Sequence, residues 1–386
     1  MQLKKKLPQP DIRAIARTVP SSGNLVQGQN EVALHPELLR AINEVVASGL
    51  NHYSFFEGVD ELRYAIADKL KLHNGVTIDP DRKPLELIVT PGATGGLITF
   101  AHTYLKGAAA IVFEPYYPYH KRTLETCDAR ADVIKLRGEN LALDVDELRR
   151  ACREGTSRVE YPLKAIIVCS PANPTGRVMT HDELHAIVDC AEEFDLMILS
   201  DEVYEHFAIE AADHVATATI PGAFERTVTI SSFSKSWAVS GWRLGYLFGP
   251  GNLVGKLAPL GNIYYVCTPT PLQQALARVL LADLGYYDRL RTDFARKREI
   301  LTTALEHAGF KIYPSRSNFY TWARIPEQFD NASELNEFLM KEAGVAGVPG
   351  SAFLDDPDED VFMRLCFARE DEMLRAAAER ISKALG

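Results

Sequence analysis

Lys235 stands in "SSFSKSWAVSGWRLGY", residues 231–246, with Ser232 and Ser234 just before it and Arg243 eight residues on. A lysine amine can condense with an aldehyde, and it does so best when burial or a neighbouring cation such as Arg243 lowers its pKa. Hydroxyls beside a guanidinium suit a phosphate dianion, because arginine offers a fork of donors. An aldehyde that carries a phosphate arm is pyridoxal 5'-phosphate. A solvated lysine in a turn is the plain alternative, and it explains neither the hydroxyls nor the arginine.

Other polar tips follow apolar runs. Asp201 and Tyr204 lie in "SDEVY", Asn173 in "SPANPTG", Ala93 and Thr94 in "TPGATGGL", and Tyr117 in "EPYYPYH". Taken singly, each has an ordinary explanation: a helix cap for Asp201, good turn chemistry for Asn-Pro-Thr-Gly, a packing cluster for the tyrosines. Arg364 is different. It sits in "FMRLCFA", and a central arginine on a buried strand is costly unless something pairs with it.

Taken in order, these segments resemble the class I/II aminotransferases, the fold-type I pyridoxal-phosphate enzymes, over nearly the whole chain. The serine-x-serine-lysine run with glycine-x-arginine-x-glycine after it is the specific part. The resemblance implies the following roles. Lys235 binds the cofactor covalently, and Ser232, Arg243 and the backbone of Ala93 and Thr94 take its phosphate. Asp201 pairs with the pyridine nitrogen, Tyr204 and Asn173 bond the phenolic oxygen, and Tyr117 stacks on the ring. Arg364 clamps the substrate carboxylate, helped by Asn173, and the Gly28 backbone approaches the substrate. Tyr53, in "NHYSFFEG", reaches the phosphate of a neighbouring subunit, which implies a homodimer with shared sites. No metal is expected.

The implied activity is transfer of an amino group from an amino acid to a 2-oxo acid by a ping-pong cycle, with Lys235 as general base and acid. A lyase on the same fold, of the carbon–sulfur β-lyase or cyclopropane-forming type, is the alternative, because small pocket changes decide the fate of a common carbanion. A cofactor-binding regulatory protein is disfavoured by the acidic charge and by the lack of a spare DNA-binding segment. Some aspartate-specific relatives carry lysine where this sequence has Thr94, and the proline-aspartate-phenylalanine that often follows the early glycine is absent. Tyr53, Phe55, Phe56 and Tyr116 suit a neutral or aromatic substrate side chain or, equally, packing in a dimer.

The elements that must position these residues alternate. "LELIVT", "AAAIVFE", "ADVIKL", "KAIIVCS", "LMILSDE" and "TVTISSFS" read as strands, several of them followed by helical patterns. Thr180 and Glu183 form a capping-box pattern. Short continuous apolar runs between amphipathic helices predict an α/β fold with a mainly parallel sheet covered on both faces. Ligands of such sheets bind at the carboxyl ends of the strands, where these polar tips fall. We expect a large cofactor-binding domain over 46–275, and a smaller α+β domain from 1–45 and 276–386.

The chain has 386 residues, 46% hydrophobic and 24% charged, with a formal net charge of −10. That is enough for a large core, and the acidic balance argues against a nucleic-acid or anionic-membrane surface. The six cysteines are scattered with no C-x-x-C pair, which fits free thiols in a reducing compartment. No secretory signal and no membrane span are read from the sequence, and a cytoplasmic protein is expected.

Overall fold

The apolar runs of the middle of the chain pair as parallel strands because helices cover both their faces. The computed structural model describes residues 10–209, 214–314, 317–356 and 360–386; the first nine residues assigned to the small domain lie outside them. The first sheet holds β1 (Leu87–Thr90), β2 (Ala109–Glu114), β3 (Arg130–Lys135), β4 (Leu163–Cys169), β5 (Met197–Asp201), β6 (Thr227–Ser232) and β7 (Gly245–Phe248). The second holds β8 (Lys311–Ile312), β9 (Tyr320–Arg324), β10 (Val348–Pro349) and β11 (Phe362–Cys366). The helices are α1 (Ile12–Thr18), α2 (Pro36–Ala47), α3 (Asp60–Lys69), α4 (Gly92–Tyr104), α5 (Pro118–Thr126), α6 (Val145–Thr156) and α7 (His181–Glu193). They continue as α8 (Phe233–Ser236), α9 (Gly251–Tyr265), α10 (Thr270–Val279), α11 (Tyr286–His307), α12 (Ala332–Glu342) and α13 (Asp371–Leu385).

The first sheet runs β1-β7-β6-β5-β4-β2-β3. Strands β6, β5, β4, β2 and β3 pair in parallel, as the alternating pattern predicts. Strand β7 is antiparallel to both β6 and β1. Alternation on β2 explains the layers. Ala110 and Val112 pack with Leu97 and Phe100 of α4, while Ala109, Ile111 and Phe113 pack with Leu148 of α6 and Leu184 and Ile187 of α7. The predicted capping box is present: Thr180 Oγ1 accepts from Glu183 N, and the Glu183 side chain accepts from Thr180 N.

The second sheet has its own core, where Met363 and Leu365 of β11 meet Leu301, Leu305, Leu335 and Leu374 from α11, α12 and α13. Helix α2 packs elsewhere: Leu38, Ala41 and Val45 join Leu87, Val89 and Leu276 beside the first sheet. Among the described residues no helix is long and apolar enough to cross a membrane. The four-stranded sheet is antiparallel, and its β11 reaches the loop after β4 through the Arg364–Asn173 contact.

Candidate active site

Strand β5 delivers Asp201 at its last position, 6% exposed. Its Oδ2 lies 2.8 Å from His120 Nε2, and its Oδ1 accepts from Val203 N at 3.3 Å. His120 is a site residue that the sequence reading missed. It is buried on α5, edge-on to Tyr117 with ring centroids 5.4 Å apart. It lies in the quoted "EPYYPYH", but nothing in the spacing joins it to a carboxylate 81 positions later.

Strand β6 runs straight into the short helix α8, which carries Lys235. Ser232 caps that helix by accepting from Ser234 N at 3.1 Å, and its own hydroxyl reaches Leu244 O at 3.0 Å. The Lys235 ammonium donates to Gly28 O at 2.5 Å and lies 5.7 Å from the centroid of Phe319. Burial lowers its pKa to about 8; Arg364 and Arg243 push in the same direction, while Cys366 and Asp201 oppose them. Asn30, itself buried, holds Lys235 O through Nδ2 at 2.9 Å.

Helix α4 begins beside Arg243 and Gly245. Its N-cap residue, Pro91, provides no side-chain bond to the first-turn N–H groups, among them Ala93 and Thr94. Arg243 crosses that terminus, with Nη2 3.3 Å from Pro91 O and Nη1 2.9 Å from Ser240 O. Its backbone is left-handed, at φ 54°. A helix N-terminus with a guanidinium over it is an anion cradle.

Arg364 is 3% exposed on β11. It donates through Nη1 to Asn173 Oδ1 at 2.9 Å and through Nη2 to Val26 O at 2.7 Å. The guanidinium lies between the rings of Tyr320, at 4.3 Å, and Phe353, at 4.8 Å. Its Nε has no hydrogen-bond partner, and no carboxylate pairs with it among the described residues. Tyr204 Oη lies 3.0 Å from Tyr320 Oη, and burial holds the Tyr204 phenol well above the usual pKa, so it remains a proton donor. Burial also pushes the Tyr117 phenol up, and Tyr119 stacks on its ring at 5.0 Å.

A second missed residue is Arg369, which is fully buried. It donates to the carbonyls of Asn24 at 2.7 Å, Gln27 at 2.8 Å and Gln29 at 2.8 Å. That grip fixes the segment whose Gly28 carbonyl meets Lys235. Only its place soon after β11 hinted at it. Tyr53 stands apart, 84% exposed on the turn before α3.

These residues fit pyridoxal phosphate on their own chemistry: a partly buried amine of lowered pKa, an uncapped helix start under an arginine, a buried carboxylate, and a buried arginine with an unpaired Nε. Comparison with known proteins agrees. The model of the family "aminotransferase class I and II" matches residues 21–381. An aspartate aminotransferase of Pyrococcus abyssi is 33% identical over 346 residues, 89% of this chain and 86% of that protein. An aromatic-amino-acid aminotransferase of Thermococcus litoralis is 33% identical over the same shares, 89% and 86%. Among solved structures, the N-succinyldiaminopimelate aminotransferase of Mycobacterium tuberculosis superposes with a TM-score of 0.89 at 31% identity, covering 97% of this chain and 96% of that one.

Proposed function

The chain belongs to the class I and II aminotransferases, pyridoxal-phosphate-dependent transaminases of fold type I, and on that premise we propose which of its residues do the work and on what. The relatives are named as aminotransferases and not as lyases, so the lyase alternative is set aside. The observation that carries the assignment is the partly buried Lys235 amine, which donates to Gly28 O and whose pKa desolvation lowers to about 8, within electrostatic reach of Arg364, Arg243 and Asp201.

When bound, pyridoxal phosphate supplies an aldehyde for a lysine amine and a ring nitrogen that, once protonated, accepts electron density from the amino acid's Cα. Asp201, oriented by His120, keeps that nitrogen protonated. Tyr204 and Asn173 donate to the phenolic oxygen, and Tyr117 covers the ring. Ala93, Thr94, Arg243 and Ser232 surround the phosphate; Ser232 does so by turning its hydroxyl away from Leu244. Arg364 and Asn173 fix the donor's carboxylate beside Gly28, which sets the Cα–H bond within reach of the Lys235 amine. Lys235 Nζ, neutral above its lowered pKa, would take that proton as general base and give it up as general acid on the cofactor side, not back to Cα.

The donor has a neutral or aromatic side chain on this reading. Thr94 offers no cation for a second carboxylate, and Arg364, Arg243 and Lys235 each have a task. The homodimer belongs to the same reading. Tyr53 and Phe55 are 84% and 79% exposed, and Ile263 is 77% exposed. Phe56 of this turn packs on Tyr265 of α9, with centroids 5.5 Å apart, so these side chains form one surface. The large domain spans 46–275, and 1–45 with 276–386 makes the small one, with α2 crossing to the first sheet. Six free cysteines fit the cytoplasm.

Borohydride reduction of the loaded protein, followed by peptide mass analysis, tests the assignment. The phosphopyridoxyl mass is expected on Lys235. The same mass on another lysine, with Lys235 unmodified, overturns it.

A further inference from the structure

Two loops join the sheets at the mouth of the site. One follows β2 and carries Tyr116 and Tyr117 into α5. The other follows β10 and carries Phe353 and Asp355. Tyr116 N donates to Phe353 O at 3.1 Å, and Asp355 N donates to Glu114 Oε2 at 2.6 Å. Asp355 Oδ1 accepts from both Tyr116 Oη and Lys121 Nζ, each at 2.5 Å. Glu114 is 1% exposed and has Lys135 Nζ 3.5 Å away. Asp355 therefore gathers the Lys121 ammonium of α5 and the Tyr116 phenol of the loop after β2, and its own N–H is held by a second, buried carboxylate.

The same loops carry Tyr117 and Phe353, and Phe353 lies against the Arg364 guanidinium at 4.8 Å. Among the described residues Arg364 donates to neutral acceptors and lies against two rings, and no carboxylate pairs with it. The walls that confine it therefore decide how well it presents two donors to a carboxylate.

We propose that Asp355 is a positioning residue for substrate: its clasp on Tyr116 and Lys121 holds Phe353 against Arg364 and so sets the affinity for the substrate's α-carboxylate. This rests on Arg364 being the carboxylate clamp. The ion pair contributes little by its own charge, because the side chains of Lys121 and Asp355 are 28% and 37% exposed. Its effect is geometric. Sub-ångström placement of a binding group alters affinity and rate out of proportion to the energy of the contact that enforces it. Asp355 touches neither substrate nor cofactor in this account.

The test uses the pyridoxal-phosphate-loaded protein and two unreactive or slow ligands: a 2-methyl amino acid, and the corresponding amine without a carboxylate. Binding of each is read from the change in the cofactor's absorption, and cofactor retention is read after dialysis. Asp355→Ala is expected to weaken the 2-methyl amino acid about tenfold, to leave the amine within about twofold, and to keep the cofactor. Asp355→Asn, which still accepts from Tyr116, should recover part of the loss. Should Asp355→Ala fail to fold, Tyr116→Phe removes one of the two bonds with the ring kept, and a loss of about threefold for the amino acid alone is expected. Equal weakening of both ligands, or of neither, overturns the proposal. Arg364→Leu separates the two levels: if it leaves amino-acid affinity unchanged, the clamp assignment itself falls, and the clasp with it.

Discussion

At Lys235 the protonation state matters more than the position. Its neutral form is the one that attacks a carbonyl and takes a proton, and burial makes that form available at a pKa of about 8. A lysine of ordinary pKa, about 10.4, would be less than about one per cent neutral at pH 8. The sign is set by desolvation: the charged form is disfavoured, so reactivity appears at lower pH. In cofactor-free protein, acylation of Lys235 should rise about tenfold per pH unit to near pH 8 and then level off. Peptide mass analysis after brief labelling at pH 6 to 10 checks this, and a rate still climbing at pH 9.5 would contradict it. Asp201 makes a second case. Its Oδ2 lies 2.8 Å from His120 Nε2, and leaving a buried polar group without its partner costs about 1–3 kcal/mol. His120→Phe should therefore lower kcat about tenfold or more with little change in KM, measured in steady state. Equal loss in KM alone would mean that His120 only packs.

The elements explain why the glycine-x-arginine-x-glycine spacing mattered. Gly245 opens β7, and a Cβ there would come 2.6 Å from Gly92 C, 2.7 Å from Ser231 O and 2.8 Å from Ala93 N. The strand can lie under the start of α4 only because that side chain is missing. Gly245→Ala should cost about 1–3 kcal/mol in urea unfolding and weaken cofactor binding by lifting the Ala93 and Thr94 amides from Arg243. Unchanged cofactor affinity in a folded variant would remove that helix start from the phosphate site. Parallel strands such as β2 and β4 were legible because they are buried on both faces and read as apolar runs; β3, at the edge of the sheet, is half-exposed and carries charged residues. Strand β7 was not legible. Its first two residues, Gly245 and Tyr246, close the motif read for Lys235, and its antiparallel place between β1 and β6 depends on strand pairing that the motif does not show. The motif residues were legible because their spacing along the chain is fixed. His120, Arg369 and Asp355 were not, because each acts on a partner that only folding brings near.

For the whole molecule, Tyr53, Phe55 and Ile263 are large apolar side chains left exposed, and a second copy that covered them would show in the size of the particle. A homodimer is expected by light scattering, and Phe55→Ser with Ile263→Ser should shift the protein to monomer and lower its cofactor affinity. A stable monomer with full cofactor affinity would contradict the assignment of Tyr53 to a neighbouring site. The central claim is that this site moves an amino group, one equivalent at a time, through Lys235. It is tested most directly by titrating the loaded protein with a panel of amino acids and following the cofactor's visible absorption, beside Lys235→Ala. The account predicts that a neutral or aromatic donor abolishes the band and releases one equivalent of oxo acid, that an added 2-oxo acid restores it, and that Lys235→Ala does neither. Oxo acid and ammonia formed over many turnovers without an acceptor would contradict it.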